Sequence, residues 1–323
     1  MDFEPLINPK VCAIIGASKN PLSGSYRFLE GWLTTKFQGK IYPVNPKYSA
    51  INGLKTYPDI REIPDEVDYA LIAVPAEKVP NEVRKCVHKG VKFIVIFTSG
   101  FSEIGNKNLE EEILQIARGK SRILGPNCIG VYSTEARLGY FVDQPIITEG
   151  DVSFVSQSGG LTRKFIWTGL SRGFHIRATV SIGNAIDISI SELFEYFAKD
   201  TKTKIIGAYI EYIKEGRDFF KLLKTITPHK PVVILKTGRT RKGQVAAQSH
   251  TGAIASFYSI FSSMVKQAGG LVVETLEELT DLILAFQYLS NCLPAGKNIA
   301  IINIGGGVAV EMTDICESND FNV

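Results

Sequence analysis

Val11-Cys12-Ala13-Ile14-Ile15-Gly16-Ala17-Ser18-Lys19-Asn20-Pro21-Leu22-Ser23-Gly24-Ser25 stands near the start of the chain. Its five opening apolar residues read as a buried strand. A Gly/Ser loop follows, then a helical stretch around Tyr26–Thr35. Strand, Gly/Ser loop, helix is the opening of a phosphate-binding βαβ unit, in which backbone N–H groups and a helix N-terminus meet an anion. The dinucleotide fingerprint GxGxxG is absent, and the loop is longer than that motif allows. The next strand, Lys40-Ile41-Tyr42-Pro43-Val44, runs through Asn45-Pro46 to Lys47, where an NAD site would want a carboxylate for the ribose. These two departures exclude a nicotinamide dehydrogenase. A lysine suits a phosphate better, although Lys47 also reads as an exposed turn residue.

The alternation continues. Tyr69–Val74 is a strand ending at Pro75-Ala76, and Glu77–Lys89 fits a helix. Phe93–Phe97 is a strand ending at Thr98-Ser99-Gly100-Phe101, and Leu109–Gly119 fits a helix. Arg122-Ile123-Leu124 ends at Gly125-Pro126-Asn127-Cys128. Ligands of open parallel sheets bind just past the C-terminal strand ends. Small, polar and turn residues at these ends predict a doubly wound domain over residues 1–148 that takes a phosphorylated cofactor.

A second such unit begins after the turn Gly150-Asp151. Val152-Ser153-Phe154-Val155 is a strand, Ser156-Gln157-Ser158-Gly159-Gly160-Leu161-Thr162 a loop, and a helix runs to about Gly169. The unpaired N–H groups and hydroxyls at that helix start form an anion site, or Ser158 simply caps the helix. Strands at Ala178–Ile182 and Ile205–Ile210 flank a helix at Ile188–Phe197, and Glu211 stands at the second strand's end. A carboxylate there fits a histidine's orienting partner or a surface charge. Pro231–Leu235 is a buried strand, Phe257–Ala268 a helix, Leu271–Val273 an edge strand and Glu277–Leu289 a closing helix. This predicts an α/β domain of flavodoxin-like layout over residues 149–290.

Between Leu235 and Phe257 lie a basic turn, Lys236–Gly243, and the loop Gln248-Ser249-His250-Thr251-Gly252-Ala253-Ile254. Small neighbours leave an imidazole accessible and offer hydroxyls and N–H groups to an oxyanion. Neutral imidazole is a nucleophile at physiological pH. His250 thus fits a phosphorylated intermediate; on spacing alone, a capping or core histidine is the commoner outcome. The cations of the basic turn, Arg239, Arg241 and Lys242 among them, are placed to meet phosphates or solvent.

The remaining residues, 291–323, read as a linker, a strand at Asn298–Ile304, a Gly305-Gly306-Gly307 turn and a short helix. One strand and one helix cannot bury a core alone, so this reads as the start of a third α/β domain. The 323 residues suit about two full domains, and a net charge of +3 is too small to imply nucleic acid or an anionic membrane. The five cysteines form no CxxC pair, which argues against a disulfide framework or zinc site. The first residues lack a secretory signal pattern, and no apolar run approaches the roughly 20 residues of a membrane span. A cytosolic, metal-free chain is expected.

Taken together, Gly125-Pro126-Asn127-Cys128, Ser156-Gln157-Ser158-Gly159-Gly160, Ser181-Ile182-Gly183-Asn184 with Asp187, Tyr209-Ile210-Glu211 and Ser249-His250-Thr251-Gly252-Ala253 resemble one family in its own order. These are the nucleoside-diphosphate-forming acyl-CoA synthetases: the α subunit of ADP-forming acetyl-CoA synthetase and, more distantly, of succinyl-CoA synthetase. The resemblance implies a Rossmann-like CoA-binding domain followed by a flavodoxin-like CoA-ligase domain. It implies that His250 is the phosphorylated histidine and Glu211 its carboxylate partner. Ser156, Ser158, Gly159, Gly160, Thr251 and Gly252 would surround the phosphate. Gly16, Ser18, Gly24, Ser25, Lys47, Pro75, Thr98, Ser99 and Asn127 would contact CoA.

The implied activity interconverts acyl-CoA, ADP and phosphate with a carboxylate, ATP and CoA. Nothing here resembles the ATP-grasp module that the family needs, so the resemblance implies a separate β subunit carrying ADP/ATP and Mg in a hetero-oligomer. A catalytically idle CoA-binding scaffold is the alternative, since the third domain is incomplete. Retention of both His250 and Glu211 argues against it.

Overall fold

The computed structural model describes residues 2–140, 149–240, 242–243, 257–290 and 292–323. The expected His250, Thr251 and Gly252 lie outside the described residues, as does Arg241. The chain divides into two units, Met1–Gln287 and Tyr288–Val323.

The first unit holds two large sheets and one two-stranded hairpin. A short helix α1 (Glu4–Ile7) precedes β1 (Val11–Ile15), α2 (Gly24–Thr34) and β2 (Lys40–Val44). A small hairpin, β3 (Ala50–Ile51) and β4 (Leu54–Lys55), follows. Next come β5 (Tyr69–Ile72), α3 (Val79–Lys89), β6 (Phe93–Ile96), α4 (Lys107–Ala117) and β7 (Arg122–Leu124). The first sheet runs β2-β1-β5-β6-β7, all parallel. Its residues divide with period two, as pleating requires. Cys12, Ile14, Tyr69 and Leu71 enter one core, while Ala13, Ile15, Ala70 and Ile72 enter another. Both faces are therefore covered, which explains the unbroken apolar runs.

β8 (Gly130–Ser133) leaves this sheet and pairs antiparallel with β10 of the second. The second sheet is built from β9 (Val152–Ser156), α5 (Gly159–Arg172), β10 (Ile176–Ser181), α6 (Ile190–Lys199), β11 (Ile205–Ile210), α7 (Gly216–Ile226) and β12 (Val232–Lys236). It closes with α8 (Tyr258–Gln267), β13 (Leu271–Val273) and α9 (Leu276–Leu289). The strand order is β13-β12-β11-β9-β10-β8.

β8 and α7 are additions to the sequence reading. The signal for α7 was present: Phe219, Leu223 and Ile226 fall on one helical face, and all three are buried. The expected strand at residues 298–304 is not formed. Only an isolated bridge joins Asn298 to Asn322, and Ile302 and Ile304 are exposed. A strand needs a neighbour to complete its ladder, and the second unit supplies none among the described residues. Its helix α10 (Gly306–Ser318) forms as expected but buries no residue. No helix of the described residues is long and apolar enough to cross a membrane.

Candidate functional site

Numbered within each sheet by chain order, the parallel strands run second, first, third, fourth, fifth in both. The order reverses between β1 and β5 in one sheet and between β9 and β11 in the other. Crevices at such reversals are where open α/β sheets take ligands.

At the first reversal, Ser23, Gly24, Ser25, Val74, Phe97, Thr98, Ser99 and Asn127 line a cleft of about 340 Å³. Ser23 caps α2 by accepting from the Tyr26 N–H at 3.2 Å. Gly24 is needed where it stands, because a Cβ there would lie 2.3 Å from the Phe97 ring. The Thr98 hydroxyl donates to the Val74 carbonyl at 2.6 Å and joins two strand ends. Asn127 adopts a left-handed φ of 57° and donates its N–H to the Thr98 carbonyl.

Gly24, Ser25, Thr98, Ser99 and Asn127 are thus brought together. Pro75 follows Val74 and is exposed. Gly16 lies behind the rim: its φ is +85°, and a Cβ would meet the Ala73 carbonyl oxygen at 2.6 Å. Its role in the fold is close approach of two strand ends. Ser18 accepts from the Asn20 N–H in a local turn. Lys47 is exposed on the loop after β2, outside the cleft lining. That loop is tied to β1's end by Asn45, whose amide donates to the Ala17 carbonyl at 2.7 Å.

At the second reversal, Ser156 and Ser158 shape one turn. The Ser156 hydroxyl donates to the Ser158 carbonyl at 2.9 Å and accepts the Ser158 N–H at 3.1 Å. Ser158 caps α5 by accepting from the Leu161 N–H. The capping by Ser158 is thus observed, on a helix that opens with Gly159 and Gly160. Gly160 has no heavy atom within 4 Å of where a Cβ would stand, so that turn is open to an incoming group.

Glu211, just past β11, is 3% exposed. The Tyr209 hydroxyl donates to its Oε1 at 2.9 Å, and the Thr237 hydroxyl donates to the Tyr209 oxygen at 3.1 Å. Burial, then the nearby Glu211 carboxylate, push the Tyr209 phenol well above its ordinary value, so it stays a donor. Gln157 fixes the backbone: its Oε1 accepts from the Glu211 and Tyr212 N–H groups, and its Nε2 donates to the Tyr212 carbonyl. Lys236, expected in a basic turn meeting phosphates or solvent, is fully buried as the last residue of β12. Of that turn's other cations, Arg239 pairs with Glu274.

The two reversals are joined. The N–H groups of Asn184, Ile186 and Ile188 donate to the carbonyls of Pro126, Gly125 and Ile123. Asp187 accepts from the Ile123 N–H at 2.7 Å and from Arg122 Nε at 2.9 Å. Glu192 accepts from Arg122 Nη2 at 2.9 Å while completing the capping box of α6 with Ser189. Gly183, at φ +52°, lets this segment approach, since a Cβ would stand 2.2 Å from the Pro126 oxygen. Ile129, two residues after Asn127, lies against Gly159 of α5, with 3.1 Å from its Cγ2 to a Cβ built on the glycine. The stretch from Asn127 to Ile129 therefore runs from the first cleft to the second helix start. Among the described residues, no group of three or more His, Cys, Asp or Glu side chains is arranged to hold a metal.

Residues 10–134 match the CoA binding domain family, and residues 149–286 match the succinyl-CoA ligase like flavodoxin domain family. The chain is 39% identical to the Pyrococcus furiosus acetate–CoA ligase [ADP-forming] I subunit alpha, across all of this chain and 71% of that protein. It is 41% identical to an acetate–CoA ligase [ADP-forming] of Methanocaldococcus jannaschii, but spans only 44% of that longer protein. Its fold superposes on acetyl-coenzyme A synthetase 1 of Ca. Korarchaeum cryptofilum, solved with phosphate and ADP, at a TM-score of 0.90 and 38% identity, over all of this chain and 70% of that one. Both sheets, the residues joining them and identity along the full length place this chain in the ADP-forming acetate–CoA ligase family, as a counterpart of its α subunit.

Proposed function

We propose that the chain carries the acyl-transfer and phosphoryl-transfer half of an ADP-forming acyl-CoA synthetase, interconverting acyl-CoA, ADP and phosphate with carboxylate, ATP and CoA. The observation that carries this reading is the three-residue run from Asn127 to Ile129, which links the first cleft to the α5 N-terminus. A thioester held at the first can meet a phosphate held at the second.

The rim Gly24, Ser25, Pro75, Thr98, Ser99 and Asn127 would hold CoA, with Gly16 and Ser18 shaping its floor and Lys47 facing a phosphate. Ser156, Ser158, Gly159 and Gly160 would hold inorganic phosphate through N–H groups and the helix dipole. A phosphate oxygen attacks the thioester carbonyl, the C–S bond breaks, and the CoA thiolate takes a proton. An imidazole nitrogen of His250 then attacks phosphorus; a P–N bond forms and the carboxylate leaves with the P–O electron pair. Glu211, oriented by Tyr209 and Gln157, would hold the other imidazole N–H and offset the charge of the phosphorylated ring. Thr251 and Gly252 would help hold the phosphate.

An ATP-grasp partner, binding ADP with Mg, would receive the phosphoryl group in a cytosolic hetero-oligomer. The division into residues 1–148, 149–290 and 291–323 follows the same reading. The test is the partial reaction. Full-length chain incubated with acetyl-CoA and radiolabelled phosphate should gain acid-labile, base-stable label that His250→Ala abolishes. Label that persists in that variant, or resides on serine, overturns the assignment.

A further inference from the structure

Lys236 occupies a costly place. It is 0% exposed, and its Nζ donates to the Glu211 carbonyl at 2.8 Å and to the Thr237 carbonyl at 2.5 Å. The Phe261 ring of α8 lies 5.6 Å from the ammonium. Burial pushes this lysine down to about 8, opposed only by the Glu211 carboxylate. A methionine of similar length would avoid the desolvation, but it would take this donor from the carbonyls of Glu211 and Thr237 and the ammonium from the Glu211 carboxylate, which is commonly destabilising. A charge buried at such cost acts on a specific place.

Its two acceptors indicate where. They are the carbonyls of Glu211 and Thr237, the two ends of the hydrogen-bond chain that runs from the Thr237 hydroxyl through Tyr209 to the Glu211 carboxylate. β11 and β12 pair with Ile210 opposite Lys236, so both carbonyls lie just at or past the last paired residues, where the ladder no longer holds them. We propose that Lys236 is a positioning residue for phosphoryl transfer: its ammonium clamps the backbone of Glu211 to that of Thr237 and so fixes the direction of the carboxylate. The inference rests on the reading of His250 as the phosphoryl acceptor.

The test measures phosphorylation of the full chain by radiolabelled acetyl phosphate, together with CoA affinity and melting temperature, in Lys236→Met and Lys236→Arg. Lys236→Met should slow maximal labelling by roughly 10–100-fold, the usual cost of losing an orienting partner. Half-saturating acetyl phosphate and CoA affinity should stay within about threefold, whereas the melting temperature should fall in Lys236→Met, which takes a donor from two carbonyls. Lys236→Arg, which keeps donors and charge, should recover part of the rate. Lys236→Gln carries the same comparison should Lys236→Met not fold. Wild-type labelling rates in the Met or Gln variant overturn the proposal. So does a rate loss that tracks lost CoA affinity, since that is a packing defect. Labelling of His250→Ala would instead remove the histidine reading, whatever Lys236 does.

Discussion

Tyr209, near the end of β11, and Glu211, just past it, stand two residues apart, and the phenol donates a 2.9 Å hydrogen bond to the carboxylate. The side chain that points Glu211 thus comes from the strand that leads into it, and a second hydroxyl, from Thr237 just past β12, points Tyr209.

Tyr209→Phe should keep the fold and lose the orientation. Removing one buried hydrogen-bonding partner costs about 1 kcal/mol or somewhat more. Labelling by acetyl phosphate should fall roughly 10-fold or more, with CoA affinity unchanged. Urea unfolding and labelling rates measure the two effects; an unchanged rate would show that Glu211 is oriented by other contacts.

Gly183→Ala should weaken CoA binding from a distance. Its Cβ would meet backbone oxygens of Pro126 and Asn127 at 2.2 and 2.5 Å. The left-handed φ adds about 1 kcal/mol or more of strain. The Pro126-Asn127 turn must move, and the cleft rim with it. Calorimetry should show reduced CoA affinity although residue 183 does not line the cleft; full affinity would separate this segment from the site.

Lys47→Ala should weaken CoA more than dephospho-CoA. The lysine is exposed and outside the cleft lining, so it can only reach a group that projects beyond the rim. A single surface ion pair supplies up to about 1 kcal/mol, hence a few-fold change. Equal losses for both ligands would move Lys47 away from the 3′-phosphate.

Lys236 also sets a pH dependence of stability. Its folded value of about 8 lies below its ordinary 10.5. Below pH 8 the lysine is charged in both states, and the folded state bears the full burial cost. Between about 8 and 10.5 the folded protein gives up the proton while the unfolded chain keeps it, so this contribution to stability rises with pH. The stability of Lys236→Met relative to wild type should therefore be most favourable below pH 8 and decline towards pH 10.5. Urea unfolding at pH 7 and pH 10 measures it; a constant difference would mean the ammonium is not desolvated.

Much of this was legible in the residues. Apolar runs ending in Gly, Ser, Thr or Asn marked the strand ends, and period-two division of those runs between two cores confirms why they are unbroken. Ser158 as a helix cap and Glu211 as a strand-end carboxylate were both readable. Tertiary pairing was not. β8 is four residues long and its partner lies some forty-five positions on, so no local pattern announces it. Lys236 read as part of a basic turn facing phosphates or solvent, because a lysine beside a glycine turn is normally exposed; the two carbonyls from Glu211 and Thr237 make its burial tolerable.

The backbone bonds from Asn184, Ile186 and Ile188 have a practical side. β7 is the outermost strand of its sheet; the Ile188 N–H occupies its Ile123 carbonyl, Asp187 accepts its Ile123 N–H, and the Asn184 and Ile186 donors cover the turn just past it. A fragment cut near residue 148 would strip that cover and leave a bare template for strand addition, the kind of exposed edge that drives aggregation. Expression of the CoA-binding half by itself is therefore expected to yield self-associating material.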